Sequence, residues 1–342
     1  MFRKLTETFS RLRLSDRRAT PSTARSDHND FARLRDIADR VQPLYRQAVF
    51  DCDKGEIGSV PERLVAQTIA QQVRDSAIRR NAVPRLPAII PLLLQHLRDP
   101  NASARDYVAV IRQDPVVAAA VLKIANSVYF NPYGKKIENF EHAVVTLGIE
   151  GIRLVLSTAV LQPIVRGQSS KLPQRIWDHS LACAVCCQQL SQRAHADPFK
   201  AYLLGLVHDV GVVTLFNQLQ LRANEFLGTQ TPSPALLLQL VDELAQPLTY
   251  WIAQDWQLPA DIVRALAAQG EPPSDKQPAL SGILRVANGM SEAYLLVRLG
   301  LLEREILAGF SAELGVPDNL LHQLDDAFSE PMTQSKPTTQ SK

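Results

Sequence analysis

From about Phe31 to Leu314 apolar side chains return every third or fourth position and rarely every second, with Pro, Gly, Asp and Ser at the breaks. Strands need alternation along their length, whereas this spacing lays one apolar stripe along a helix, so the chain must bury its stripes helix on helix. The pattern predicts an all-α, multi-helix bundle. Helices over 31–50 and 62–79 are joined by the turn-rich Asp51–Pro61, where Ser59 before Val60, Pro61 and Glu62 reads as a start signal. Asp99-Pro100-Asn101-Ala102-Ser103 closes one helix and offers Ser103 as the cap of the next, which runs to about Gln113. Asp114-Pro115 repeats the device, with proline at the first helical position, where its missing N–H removes no bond. The helix it opens turns Val117, Val121 and Ile124 to one buried face, and Ala125-Asn126-Ser127 ends it. A helix over 139–147 stops at Gly148 and another covers 149–165; further helices are expected at about 175–194, 198–209, 212–225, 233–254, 260–269, 278–297 and 302–314. No fixed period of roughly 20–50 residues recurs, so the chain is not a solenoid.

An apolar fraction of 46% over 342 residues supplies a sizeable core. Thirty-seven basic residues against thirty-five acidic ones leave a net charge of +2, which sets up no general field for nucleic acid or an acidic membrane. The basic excess sits in residues 1–30, a flexible tail whose Phe2, Leu5, Phe9 and Leu12 line one side of a transient helix; a membrane surface or an acidic partner is the alternative role for this end. The final stretch, 331–342, has Met332 as its one large apolar residue and is expected to be disordered. Apolar runs near Leu86–Leu94 and Val116–Leu122 fall far short of the roughly 18 residues of a membrane span, and the start lacks the segregated pattern of a cleavable leader. Cys183, Cys186 and Cys187 crowd together with Cys52 apart, unlike a disulfide framework. A cytoplasmic location is expected.

The chemistry-bearing stretch is GLVHDVG, 205–211, which sets His208 and Asp209 among apolar and glycine neighbours, while His179 stands on another helix in WDHSLA. In a bundle two imidazoles and a carboxylate can meet at one point, a donor set suited to Fe, Mn, Zn or Ni. A helix-end hydrogen-bond network uses the same residues without an ion. Cys183 and Cys186 share a helical face with His179 and suggest a zinc site, but no second CxxC completes four ligands, so the thiols read as small buried hydrophobes. Trp177, Trp251 and Trp256 are explained by packing between helices, and Asn126 and Ser127 by backbone groups at a helix end. Neither GxxxxGK[ST] nor GxGxxG occurs.

Six stretches in order, LPAIIPLLLQHLRDP, IRQDPVVAAAVLKIANSVYF, EHAVVTLG, WDHSLA, YLLGLVHDVG and DWQLPADIVRAL, resemble the HDOD family of bacterial proteins, whose all-helical domain is related to HD-type metal phosphohydrolases. The resemblance divides the chain into the tail 1–30, an N-terminal helical extension 31–82, the HDOD domain 83–273, C-terminal helices 274–330 packed on it, and the tail 331–342. Catalytic relatives take metal ligands from a histidine on one helix, the His-Asp pair and a later aspartate, often with added histidines. His179, His208 and Asp209 match the first three positions; the later aspartate is replaced by Asn288, and Gln269 and Gly270 stand near where paired histidines would fall.

An amide is a weaker, neutral ligand, so the resemblance implies a vestigial or at most mononuclear site and no two-ion activation of water. No catalytic residue is assigned and no cofactor beyond a single divalent ion is admitted. The expected role is a non-catalytic regulatory module that binds a signalling protein in trans or a small ligand, in circuits including two-component and cyclic-dinucleotide signalling. Self-association into a homo-oligomer is compatible with this role; nucleic acid is not an expected partner. The alternative is a metal-dependent phosphohydrolase acting on a nucleotide or cyclic dinucleotide, with Asp178 or Asp261 standing in for the missing ligand.

Overall fold

A computed structural model describes residues 27–52, 59–75, 103, 106–108, 115–166, 171–226, 231–271 and 277–329. No strand occurs among the described residues. Their helices are α1 (Asp27–Phe50), α2 (Val60–Arg74), α3 (Pro115–Ala125), α4 (Phe140–Arg166), α5 (Lys171–Ser191), α6 (Pro198–Val207), α7 (Val210–Phe226), α8 (Pro234–Asp255), α9 (Ala260–Ala267), α10 (Ala279–Arg298), α11 (Arg304–Glu313) and α12 (Leu320–Phe328).

Local chemistry sets several of these starts. Ser59 and Glu62 form a reciprocal capping box at the head of α2, with Pro61 in the first turn. The Glu62 carboxylate also accepts from the Ser233 N–H at 2.9 Å, so one buried acid ties the first turns of α2 and α8 together. Asp197 accepts from Phe199 and Lys200 N–H groups to open α6, and Ser233 accepts from Leu236 to open α8. Gly148, at φ 68° inside α4, breaks that segment into the two helices expected from its sequence.

Helix α5 is the axis of the bundle. It packs against α4, α6, α10 and α12, and α10 in turn packs against α1. Cys183, Cys186 and Cys187 are fully buried in it as free thiols, in the core role the sequence suggested. Trp177 and Trp256 are buried between helices and Trp251 is half-buried. Asn126 donates to the Leu122 and Ile137 carbonyls and accepts from the Ile137 N–H, stitching the end of α3 to the loop after it.

Several boundaries differ from the sequence reading. Helix α1 already begins at Asp27, inside the stretch read as a tail, and α2 ends at Arg74. Helix α5 starts at Lys171 because Pro173 is tolerated in a first turn. Helix α6 ends at Val207, so His208 and Asp209 form a turn instead of its last residues. On α3 Val117 and Val121 are buried as expected, but Ala125 completes the buried face and Ile124 is only half-buried. Helix α12 has no counterpart in the sequence reading. The expectations for residues 1–26, for the caps at Asp99–Ala102 and Asp114, and for 331–342 lie outside the described residues. By length and composition, 140–162 and 198–223 would suffice to cross a membrane. The first is broken at Gly148; the second is two helices meeting at the His208 turn, with 78% of its apolar window buried in protein.

Candidate metal centre

The turn between α6 and α7 presents its two polar side chains inward because the backbone holds both residues. His208 Nδ1 donates to the Gly205 carbonyl at 2.8 Å, fixing its ring against its own helix. The Asp209 carbonyl accepts from the Val212 and Val213 N–H groups and starts α7. From α5, His179 reaches across and donates through Nδ1 to Asp209 Oδ2 at 2.6 Å. His208 Nε2 lies 3.5 Å from the same oxygen. The three sequence-predicted residues do meet, with one donor atom from each within 4.8 Å of the others.

Asn288, on α10, accepts from His208 Nε2 at 3.1 Å through its amide oxygen and passes its own N–H to Glu292 Oε1 at 3.0 Å. The stand-ins considered from sequence do not join. Asp178 accepts from Gln174, Asp261 pairs with Lys200 at 2.7 Å, and Gln269 donates to the Ala265 and Ser281 carbonyls. Neither Asp178 nor Asp261 is among the converging atoms.

Two functional residues escaped the sequence reading. Glu292 is a buried acid one turn beyond Asn288, on the line Leu284, Asn288, Glu292, Leu296; a carboxylate on a largely buried helix was the available signal. Tyr45, on α1, sets its ring 4.9 Å from the His179 ring, which is in turn 5.0 Å from that of His208. Within the stripe Val41, Tyr45, Val49 it is indistinguishable from core, and nothing in the sequence points it at His179.

Proton positions follow from this geometry. Both His208 nitrogens face acceptors, so the ring is held as imidazolium. Burial opposes that charge, but the Asp209 carboxylate, the Cys183 sulfur beside it and the Gly205 carbonyl together raise its pKa to about 10. Burial would likewise raise Asp209; the positive charge of His208 and the hydrogen bond from His179 override it and hold the carboxyl at about 2. For Glu292 burial prevails, aided by the Asp209 charge against the pull of His179, and lifts it to about 7.

Whether these residues suit a metal can be judged from the donor set. A two-ion centre needs more ligands than the described residues bring together. One ion would have His179 Nδ1, His208 Nε2 and Asp209 Oδ2, but each already has a partner matched in polarity, and the imidazolium supplies the positive charge that an ion would bring. The arrangement does not fit the binuclear group and matches protons better than a single ion.

The shifts set a pH profile. A raised folded-state pKa gives stability that is present below the unfolded value and lost as pH rises through the folded one, as for Glu292 between 4.5 and about 7 and for His208 between 6.5 and about 10. The lowered Asp209 gives stability that is present above 3.8 and lost as pH falls through about 2. Unfolding free energy is therefore expected to be highest near pH 4–5 and to drop by roughly 5 kcal/mol toward pH 8, about 3 of it through the Glu292 window. Urea titrations across that range check this, and Glu292→Gln should flatten the slope between pH 5 and 7.

Comparison with known proteins places this geometry in a family. The HDOD domain profile matches residues 83–272, more than half of the chain. A candidate metal-dependent phosphohydrolase from Shewanella amazonensis SB2B has a similar fold at TM-score 0.55 and 19% identity, over 79% of this chain and 100% of that one. An HDOD domain protein of unknown function from Geobacter sulfurreducens does so at TM-score 0.51 and 18% identity, over 77% and 92%. At such identities these likenesses speak to fold alone. An uncharacterized protein of Treponema pallidum (strain Nichols) is 22% identical over 214 residues, 60% of this chain, and the match spans 41% of that relative's length. With the profile match covering the segments that carry His179, His208 and Asp209, the chain belongs to the HDOD family.

Proposed function

We propose that this protein is a non-catalytic regulatory module of bacterial signalling, in which the former metal centre of the HD scaffold serves as a proton-filled clamp between helices. The observation that carries the reading is Asn288. Where a metal-binding carboxylate would hold an ion against His208, its amide oxygen accepts from His208 Nε2 instead. Asp209 then balances the imidazolium and joins α5 to the α6–α7 turn, and Asn288 joins the turn to α10. A clamp of this kind fixes three helices in one arrangement, which is what a surface read by a protein partner requires. The partner acts in trans, a signalling protein of a two-component or cyclic-dinucleotide circuit.

A second reading has one observation in its favour: three ligand atoms within 4.8 Å suit a single divalent ion in a phosphohydrolase. One experiment separates the two. Full-length protein purified without chelator is expected to carry well under one equivalent of transition metal by elemental analysis. With Mn2+ or Fe2+ added, it should hydrolyse bis(p-nitrophenyl) phosphate no faster than His208→Ala. A stoichiometric, tightly held ion, or turnover that His208→Ala abolishes, would establish the enzyme instead.

A further inference from the structure

We propose that α1 is a releasable strap over the centre, with Tyr45 covering the face of His179 that Asp209 leaves unused, so that ligands reach this histidine only when α1 lifts. The inference concerns regulation of the site described above and rests on that site being the working centre of the protein. It holds whether the centre is a clamp or binds an ion.

Three observations carry it. Helix α1 precedes the matched domain at 83–272, yet its Tyr45 ring sits 4.9 Å from the ring of His179, tilted by 43°, and the His179 side chain is 2% exposed. The contact is also poorly matched. Tyr45 Oη and His179 Nε2 are both buried without a hydrogen-bond partner among the described residues. Polar atoms left unmet in a buried seam are costly, and phenylalanine at position 45 would have avoided that cost for the hydroxyl with nearly the same volume. Lifting the helix returns both atoms to water, so opening is favoured here relative to an apolar seam.

The edges of α1 are held by exchangeable contacts. Arg46 pairs with Asp242 of α8 at 2.8 Å, with the two side chains 31% and 42% exposed. Arg175 of α5 donates to the Val49 carbonyl at 3.2 Å and lies 3.7 Å from Asp51. Partly exposed pairs of this kind contribute little and are weakened further by salt. Among the described side chains, Val41, Tyr45, Val49 and Phe50, with the partly buried Leu44 and Ala48, pack α1 on the core. Such an element belongs to the low-stability end of a fold, where local opening precedes global unfolding. Once α1 lifts, His179 Nε2 faces solvent while Nδ1 stays on Asp209, an orientation that leaves Nε2 open to a ligand.

Accessibility of His179 to diethyl pyrocarbonate, read by mass spectrometry on the full chain, tests this independently of metal content or turnover. Wild-type His179 should react at least tenfold more slowly than His322, whose side chain is 80% exposed. Arg46→Ala combined with Arg175→Gln should raise the His179 rate about tenfold, and Tyr45→Phe should lower it. In wild-type hydrogen exchange, amides of 41–49 should exchange ahead of those in α5 and α6; this measurement decides the matter even if the double variant does not fold. Any of three results overturns the strap: His179 as reactive as His322 in the wild type, an unchanged rate in a folded double variant, or exchange of α1 only together with α5.

Discussion

Asp209→Ala is expected to cost about 3–5 kcal/mol of unfolding free energy, seen as a large drop in the urea midpoint with little change in slope. The carboxylate has two positive or donating neighbours. His179 Nδ1 lies at 2.6 Å and His208 Nε2 at 3.5 Å, and both rings are almost wholly out of water. Alanine leaves a buried imidazolium without its counter-charge and a buried N–H without an acceptor, a far heavier loss than that of an exposed pair. Asp209→Asn keeps an acceptor for His179 and removes only the charge, so it should fall between alanine and wild type. A double-mutant cycle with His179→Ala separates the shared bond from the rest; a coupling of 1 kcal/mol or more is expected between residues in direct contact. A total loss under 1 kcal/mol for Asp209→Ala would show that the pair does not clamp the bundle.

Much of this arrangement was legible before any coordinates. The helical spacing gave the fold class, Ser59 and Glu62 announced the head of α2, Gly148 announced the break in α4, and the His-Asp pair with His179 named the members that meet. What could not be read was set by packing instead of local chemistry. His208 keeps near-helical angles, φ −62° and ψ −25°, so no turn residue marks the end of α6 before it. Helix α12 is nine residues long with no side-chain cap, and it is held by its contact with α5. Glu292 was visible as an acid one turn past Asn288, but that it neighbours the centre depends on how α10 is rotated against α5, which spacing along one helix does not determine. Tyr45 illustrates the limit most sharply: its neighbour His179 lies on a distant segment, and its own surroundings read as an ordinary buried stripe.

Gly205→Ala should be the second severe lesion, costing about 3 kcal/mol or more, because the glycine in GLVHDVG is where α6 touches α5 backbone to backbone. A Cβ there would stand 2.4 Å from Ala184 Cα, 2.5 Å from Ala184 N and 2.8 Å from the Cys183 carbonyl carbon. None of these is the end of a flexible side chain, so the helices themselves must part. His208 hangs by Nδ1 from the Gly205 carbonyl while His179 rides on α5, so parting them also pulls the two imidazoles away from the oxygen they share. Lower stability should therefore come with faster carbethoxylation of both histidines. Gly282→Ala on α10 gives the contrast: that position is exposed, meets no atom within 4 Å of a new Cβ and sits inside a helix, where alanine is favoured by up to about 1 kcal/mol. Thermal midpoints moving in opposite directions, down at 205 and up at 282, are the expected result. A rise at both positions would mean that helix propensity, not the approach of α5 to α6, is what the motif's first glycine answers to.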